Sequence, residues 1–358
     1  MNATQLTKKL KNRTISLLMA IIIVITGMEM VMLPKSEVAS AATSKTKQVV
    51  ILESSKKHVV KVGQYIVKHD QDKVNIVKGK NTIFSKKIAS AVVVGEKLYW
   101  GKPCYPEEDS RVYCYDIVKN ENTVFVDMNQ KVKNGYRDAC ARKVKYGNDT
   151  YFNNLYEYAT ISRLFAYHND WLYYELGGAG YYILHRANVK TGEVQLLGNY
   201  SSEMDTSPRF HMVKDGYAYI YYTFVGDTNN KDQFDNKPYT RIDMNKNSGK
   251  EEVVIENCSS SGETDVLCLY KNKLYYVEHV IRKGKKIKYD NKQTTYLKCC
   301  NLDGSKKKTL YTWNSQATVM KQFGEGKIYL ENCLKNIYYQ YDIKTKKLVT
   351  IKELPEEY

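Results

Sequence analysis

Hydrophobic and polar positions alternate in short runs, and the same pair of runs recurs five times along the chain. Each unit opens on a turn and an aromatic strand: Gly95 to Trp100, Asn169 to Tyr174, Lys214 to Tyr219, Lys271 to Tyr276 and Gly324 to Tyr329. A second strand follows and ends on Asp or Asn plus an aliphatic residue: Asp116-Ile117, Asn188-Val189, Asp243-Met244, Asn301-Leu302 and Asp342-Ile343. A period of two is that of a pleated strand, whose successive side chains point to opposite faces. In the second strand the pattern predicts that Tyr115/Ile117, Ala187/Val189, Ile242/Met244, Cys300/Leu302 and Tyr341/Ile343 pack on a neighbouring sheet. The opposite face, with Val112/Cys114/Asp116 and Leu184/Arg186/Asn188 as examples, is mixed and is expected in a more polar setting. The recurring Asp or Asn has a local reason. Its side chain accepts from backbone N–H groups two residues on and starts the turn that Thr191-Gly192, Ser248-Gly249 or Asp303-Gly304 closes.

Repeats of this length, each with several strands, predict an all-β protein and specifically a β-propeller, because one such sheet cannot bury both its faces alone. The recognisable units begin near residues 95, 170, 215, 272 and 326. Ahead of them, Val49 to Leu52, Val59 to Val67 and Val74 to Val77 read as strands of one further, degenerate blade. The expected count is therefore six blades, with five or seven left open. The longest gap holds Val132 to Tyr158, a polar, Lys-rich insertion with a candidate short helix around Asp138 to Val144. Few prolines and no Ser- or Gly-rich linker interrupt residues 42–358, which predicts one closed domain.

The Leu-Tyr-Tyr strand followed by the turn Asn301-Leu302-Asp303-Gly304-Ser305 resembles secreted bacterial propellers related to low-density-lipoprotein-receptor-like and Tol-type propeller domains. The resemblance covers nearly all of residues 42–358 and implies the fold and an extracellular address, without an activity. The chain departs from the usual pattern in two ways: the Asp-Gly-Ser turn is complete in one unit only, and the repeat spacing is irregular.

The N-terminus supports that address. Lys8, Lys9, Lys11 and Arg13 precede an apolar run from Ile15 to Leu33, Pro34 breaks it, and Ala39-Ser40-Ala41 supplies small residues for cleavage. This is the tripartite pattern of a signal peptide spanning residues 1–41. An uncleaved anchor is the competing reading, since the run is long enough to span a bilayer. Composition agrees with a secreted β protein: 32 Tyr stand against 8 Phe and 3 Trp, and a half-buried strand suits a ring with a polar tip. The formal net charge of +16 points to anionic partners, which outside a cell are wall polymers, acidic glycans or lipid headgroups rather than nucleic acid.

Chemistry is sparse. The six histidines, at 58, 69, 168, 185, 211 and 279, form no His-x-x-x-His pair, and no Gly-x-Ser-x-Gly elbow or sialidase-type Asp box is present. Eight cysteines contain no Cys-x-x-Cys spacing, so neither a metal nor any other cofactor is expected. Cys104 and Cys114 flank one loop and are the disulfide candidate, whereas the adjacent Cys299 and Cys300 point to opposite faces, Cys300 toward the core.

Loops between second and third strands are the expected binding face: residues 101–111, 175–182, 223–238, 278–293 and 331–336. The acidic loop 223–238 lacks the spacing of a calcium loop. Loop 278–293 carries Arg282, Lys283, Lys285, Lys286 and Lys288, the candidate binding residues for an anionic partner. The favoured expectation is a secreted, monomeric, non-catalytic binding or scaffolding module that presents one loop face to a cell-envelope polymer, glycan or protein. The alternative is a carbohydrate-active lyase or hydrolase on the same scaffold.

Overall fold

The computed structural model describes residues 47–53, 56–103, 109–134, 159–178, 181–198, 206–224, 237–258, 267–281, 293–313, 318–332 and 335–355. They fall in one compact unit, Lys47–Tyr358. Strand β1 (Val49–Leu52) is followed by a first sheet of β2 (His58–Val62), β3 (Tyr65–Asp70), β4 (Lys73–Lys78) and β5 (Asn81–Lys87). The second sheet is β6 (Ser90–Val94), β7 (Lys97–Gly101), β8 (Arg111–Asp116) and β9 (Glu121–Asp127). A short helix, α1 (Met128–Lys133), then starts on Asp127, whose carboxylate accepts from the Gln130 N–H at 2.8 Å. The third sheet holds β10 (Thr160–His168), β11 (Trp171–Gly178), β12 (Tyr181–Asn188) and β13 (Val194–Leu197). The fourth holds β14 (Thr206–Lys214), β15 (Tyr217–Phe224), β16 (Lys237–Asp243) and β17 (Glu251–Cys258). The fifth holds β18 (Leu267–Tyr270), β19 (Lys273–Ile281), β20 (Gln293–Asn301) and β21 (Lys308–Trp313). The sixth holds β22 (Thr318–Gly324), β23 (Lys327–Asn332), β24 (Ile337–Asp342) and β25 (Lys347–Ile351).

Within every sheet consecutive strands pair antiparallel, an all-β arrangement consistent with a propeller. All five aromatic strands of the repeat are second strands, namely β7, β11, β15, β19 and β23. The first sheet differs from its expectation. Val49 to Leu52 does not belong to it; β1 pairs instead with the free edge of β6, Val49 opposite Val94 and Leu52 opposite Ala91, so the second sheet has five strands. The apolar pattern of β1 marked a strand, but pattern alone does not choose a partner.

Five apolar cores separate the six sheets in chain order. Val67, Ile76 and Phe84 meet Leu98, Trp100 and Tyr115 between the first two. Val92, Tyr99 and Val112 meet Leu164, Leu172 and Tyr174. Tyr173 and Leu184 meet Phe210, Ala218 and Ile242, and Tyr219 and Tyr239 meet Leu274, Tyr276 and Cys300. Tyr275, Val277 and Leu297 meet Ile328, Leu330 and Tyr341. Neighbours such as Leu172 and Tyr173 thus serve different cores, which requires the strict alternation seen in the sequence. Each buried side chain of this size contributes roughly 1.5–3 kcal/mol. On the face of the first sheet away from the second, Val59 and Ile66 are exposed.

In sheets two to five the mixed face of the third strand is buried over its first residues, whereas Tyr338, Gln340 and Asp342 of β24 in sheet six stay half-exposed. Val112, Leu184, Tyr239 and Leu297 are solvent-inaccessible, and so is Arg186. A sheet stacked between two others has no solvent face, so the Arg186 guanidinium lies over the Trp171 ring at 4.3 Å and donates to neutral oxygens of Gln195 (2.7 and 2.9 Å), Tyr173 (3.2 Å) and Lys246 (3.1 Å), and to the Asn247 carbonyl. Sheet three is thereby tied to a turn of sheet four. The Asp and Asn turn reading holds. Asn188 Oδ1 accepts from Lys190 and Thr191 N–H, Asp116 Oδ1 from Val118 and Lys119 N–H, and Asp342 Oδ1 from Thr345 N–H. In the fifth sheet Asp303 takes this part, accepting from the Ser305 N–H.

Candidate functional site

The first strands of sheets two, three and four converge on a cavity of about 570 Å³. It is lined by the end of β1 and the residue after it, by Ala89 and Ser90 at the head of β6, by Ser162 to Phe165 of β10, and by His211 to Val213 of β14. Both β10 and β14 are irregular where they line it. Ser162 and Phe165 fall at register shifts in β10, and His211 at the shift in β14. A bulge inserts a residue without a cross-strand partner and re-aims its neighbours. Alternation alone would send successive residues to opposite faces; here consecutive residues of one strand reach the same space.

A charged network stands behind the wall. Glu175 on β11 is opposite Arg163 on β10 and is fully buried. One carboxylate oxygen accepts from the Phe210 N–H at 2.7 Å and from Arg163 Nη2 at 2.9 Å, and the other lies 3.5 Å from Arg209 Nη2. Arg163 also donates to the Phe210 carbonyl, and its guanidinium sits 4.9 Å from the centre of the Phe165 ring, which stacks on Phe210 at 4.5 Å. Arg209 covers the Tyr182 ring at 3.8 Å. A buried carboxylate is tolerable only with such compensation. Glu175 therefore acts as a positioning group that fixes two guanidiniums, and the Arg163 side chain remains 37% exposed toward the cavity.

His211 completes the wall. Its Nδ1 shares a 2.7 Å hydrogen bond with the Tyr239 hydroxyl, and burial, aided by the Arg163 charge, pushes its pKa down to about 4. The imidazole is therefore neutral near pH 7. Burial holds the Tyr239 phenol well above its ordinary range, so it stays protonated. Ser90, buried, is held by the Leu164 backbone, accepting from its N–H at 2.9 Å; the wall thus offers a fixed cation, a neutral imidazole and Ser162, a set able to hold a small anionic or polyhydroxylated group.

Arg282, Lys283, Lys285, Lys286 and Lys288, the binding residues expected from the sequence, lie outside the described residues, in the connection from β19 to β20. Cys104 lies outside them as well. Cys114 has a free thiol, is buried, and stands opposite Tyr99 within the sheet rather than at the mouth of the loop that carries Cys104. Most of the acidic loop 223–238 and the helix expected around 138–144 are also outside. Among the described residues no cluster of His, Cys, Asp or Glu could hold a metal ion, and no helix is long and apolar enough to cross a membrane. The cavity residues were missed because the first strands lack the aromatic signature. One signal was present: Arg163 and Arg209 each precede the aromatic strand by the same offset, Arg163 before Trp171 and Arg209 before Tyr217.

Comparison with known proteins adds little beyond strand arrangement. No protein-family model and no curated protein matches the chain. Among solved structures it is similar to TolB from Acinetobacter baumannii, with 10% identity and a TM-score of 0.30 over 82% of this chain and 62% of that one. A prolyl endopeptidase shows 9% identity and a TM-score of 0.34, over 86% of this chain and 50% of that one. An uncharacterized protein from Listeria monocytogenes EGD-e shows 10% identity and 0.34, over 89% and 86%. The chain thus spans half of that peptidase and less than two thirds of TolB. At such similarity these proteins lend it no activity.

Proposed function

We propose that the chain is an exported six-bladed β-propeller that works as a binding module, with the cavity between the first strands receiving a small anionic or polyhydroxylated group of an envelope polymer or glycan. The observation that carries this reading is the bulged wall, where Arg163 and His211 reach one space while Glu175 holds the arginines in place. Six sheets in chain order, separated by five cores, support the blade count. The basic n-region, apolar run and small-residue site at residues 8–41 support export and cleavage, with sequencing of the secreted N-terminus as the check. The loop Arg282 to Lys288 is retained as a second contact for an anionic partner, and the working form is taken as a monomer.

The test is titration of the purified protein with short acidic and neutral oligosaccharides, followed by calorimetry. Binding is expected for the original protein, with at least a tenfold loss in His211→Asn and in Ser162→Trp, which fills the cavity, each measured well below its own melting temperature; a loss of that size corresponds to about 1.4 kcal/mol. Equal binding by both variants overturns the site. A second reading, a carbohydrate-active lyase or hydrolase, is favoured by one observation: neutral His211 hydrogen-bonded to Tyr239 beside Arg163 has the composition of an acid–base pair next to a carboxylate-neutralising cation. Release of shortened or unsaturated sugars, lost in Tyr239→Phe, would replace binding with catalysis.

A further inference from the structure

The tight turns of the fifth and sixth sheets carry a concentration of cations that the cavity does not use. Lys271, Lys306, Lys307 and Lys308 stand at the turns of sheet five, and Lys344, Lys346 and Lys347 at those of sheet six, all exposed. The two sets lie at the same end of neighbouring sheets, which meet there: Gly326 of the sixth sheet, whose carbonyl accepts from the Ile343 N–H at 3.0 Å, abuts Tyr270, whose hydroxyl lies 3.0 Å from where an added Cβ would stand, and Lys271 covers the Tyr270 ring at 5.3 Å. The acids there are few and two are committed to turns. Asp303 accepts from Ser305, Asp342 accepts from Thr345, and only Glu325 is left at the tips. Among the described residues none of the seven lysines is in an ion pair. The same end of sheets three and four is different, for Lys190 pairs with Asp170 at 2.6 Å and Lys246 with Asp243 at 3.3 Å.

We infer that this end of sheets five and six is a docking surface for a linear polyanion with a repeating phosphate, independent of the cavity and on the opposite end of the fifth sheet from the β19–β20 pair Ile281 and Gln293. Lysines are mobile point charges on long stems and suit a flexible chain of single charges, whereas planar bidentate recognition needs arginine, and these turns have none. The tips themselves are Asn272, Lys306, Glu325 and Thr345, none of them apolar; the exposed ring beside them, Phe323, is a single side chain packed edge-on against Tyr270 at 6.0 Å, too little apolar surface to enter a bilayer. Clustered unpaired charge raises the local potential and draws counterions that a polyanion would release.

The test uses fluorescence anisotropy of labelled long-chain inorganic polyphosphate with the purified protein, across a range of salt concentrations. Two variants remove the same net charge: Lys307→Gln, Lys308→Gln, Lys344→Gln and Lys347→Gln from the surface, and Lys61→Gln, Lys68→Gln, Lys73→Gln and Lys86→Gln from the first sheet. The first is expected to lose at least about tenfold in affinity at low salt and to flatten the salt dependence, and the second to lose less than about twofold. A double variant, Lys307→Gln with Lys344→Gln, gives an intermediate loss and guards against a folding artefact in the fourfold one. Equal losses in the two fourfold variants would show that net charge alone is at work. Tighter, patch-dependent binding to anionic phospholipid vesicles than to polyphosphate would make the partner a membrane surface. Either result, or no binding to polyphosphate at all, overturns the proposal.

Discussion

The two ends of the sheets are built by different means. At one end every hairpin closes through a short turn whose backbone enters the left-handed region: Asn169 and Asp170, Asp215 and Gly216, Lys271 and Asn272, Glu325 and Gly326. Such turns match the twist of paired strands, and Asn, Asp and Gly tolerate that conformation best. This end also carries the Asp and Asn caps and the Arg186 tie between neighbouring sheets. Gly304 shows how tightly it is packed, since an added Cβ would stand 2.1 Å from the Val254 carbonyl oxygen. Between second and third strands the length of the connection varies, from two residues after β3 and after β11 to eleven after β19. One end therefore fixes the spacing of the sheets, which leaves the other free to vary without moving the core.

That contrast breaks if mutations at the turn end and its adjoining strands prove harmless. The largest effect is expected for Trp171→Ala and Tyr275→Ala, which empty two different cores and should each cost about 3–5 kcal/mol in denaturant unfolding. Arg186→Ala should cost about 3 kcal/mol, because it leaves the Lys246 and Asn247 carbonyls without their donor and opens a void. Arg186→Met, close in volume and apolar, should recover part of that loss. If both cost the same, packing rather than the tie holds sheets three and four together.

Acid sharpens the comparison at the cavity. His211 and His279 are pushed down by burial to about 4, and His185 to about 3, below the ordinary value of 6.5. In that window the unfolded chain binds more protons, so stability is full above pH 6.5 and is lost as pH falls through it toward 4. The melting temperature should decline across this range, and His211→Asn should shallow the slope. An unaltered slope would mean that His211 does not titrate with unfolding.

Smaller effects come from single turns and from surface charge. Asn188→Ala removes the cap over Lys190 and Thr191 and should cost about 1 kcal/mol. Neutralising Arg282, Lys283, Lys285, Lys286 and Lys288 together should leave the melting temperature nearly unchanged and weaken attachment to an anionic polymer most at low salt. Equal attachment at low salt would remove that loop from the binding face.

Periodicity, turn chemistry and composition were sufficient to place the aromatic strands as second strands, to explain Asp116, Asn188 and Asp342 as turn caps, and to put Cys299 and Cys300 on opposite faces. These are local properties, set by the two-residue period of a strand and by hydrogen bonds that reach two or three residues along the chain. Four things were decided only by tertiary structure. β1 left the first sheet for the edge of β6, since an apolar strand accepts any free edge of suitable register. Arg186 became fully buried, because a sheet stacked on both sides has no solvent face. Arg163, Glu175, Arg209 and His211, far apart in sequence, met through cross-strand pairing and two bulges that interrupt the alternation. The lysines of sheets five and six, scattered in sequence from Lys271 to Lys347, were gathered at one end because antiparallel pairing returns the turns between first and second and between third and fourth strands to the same side.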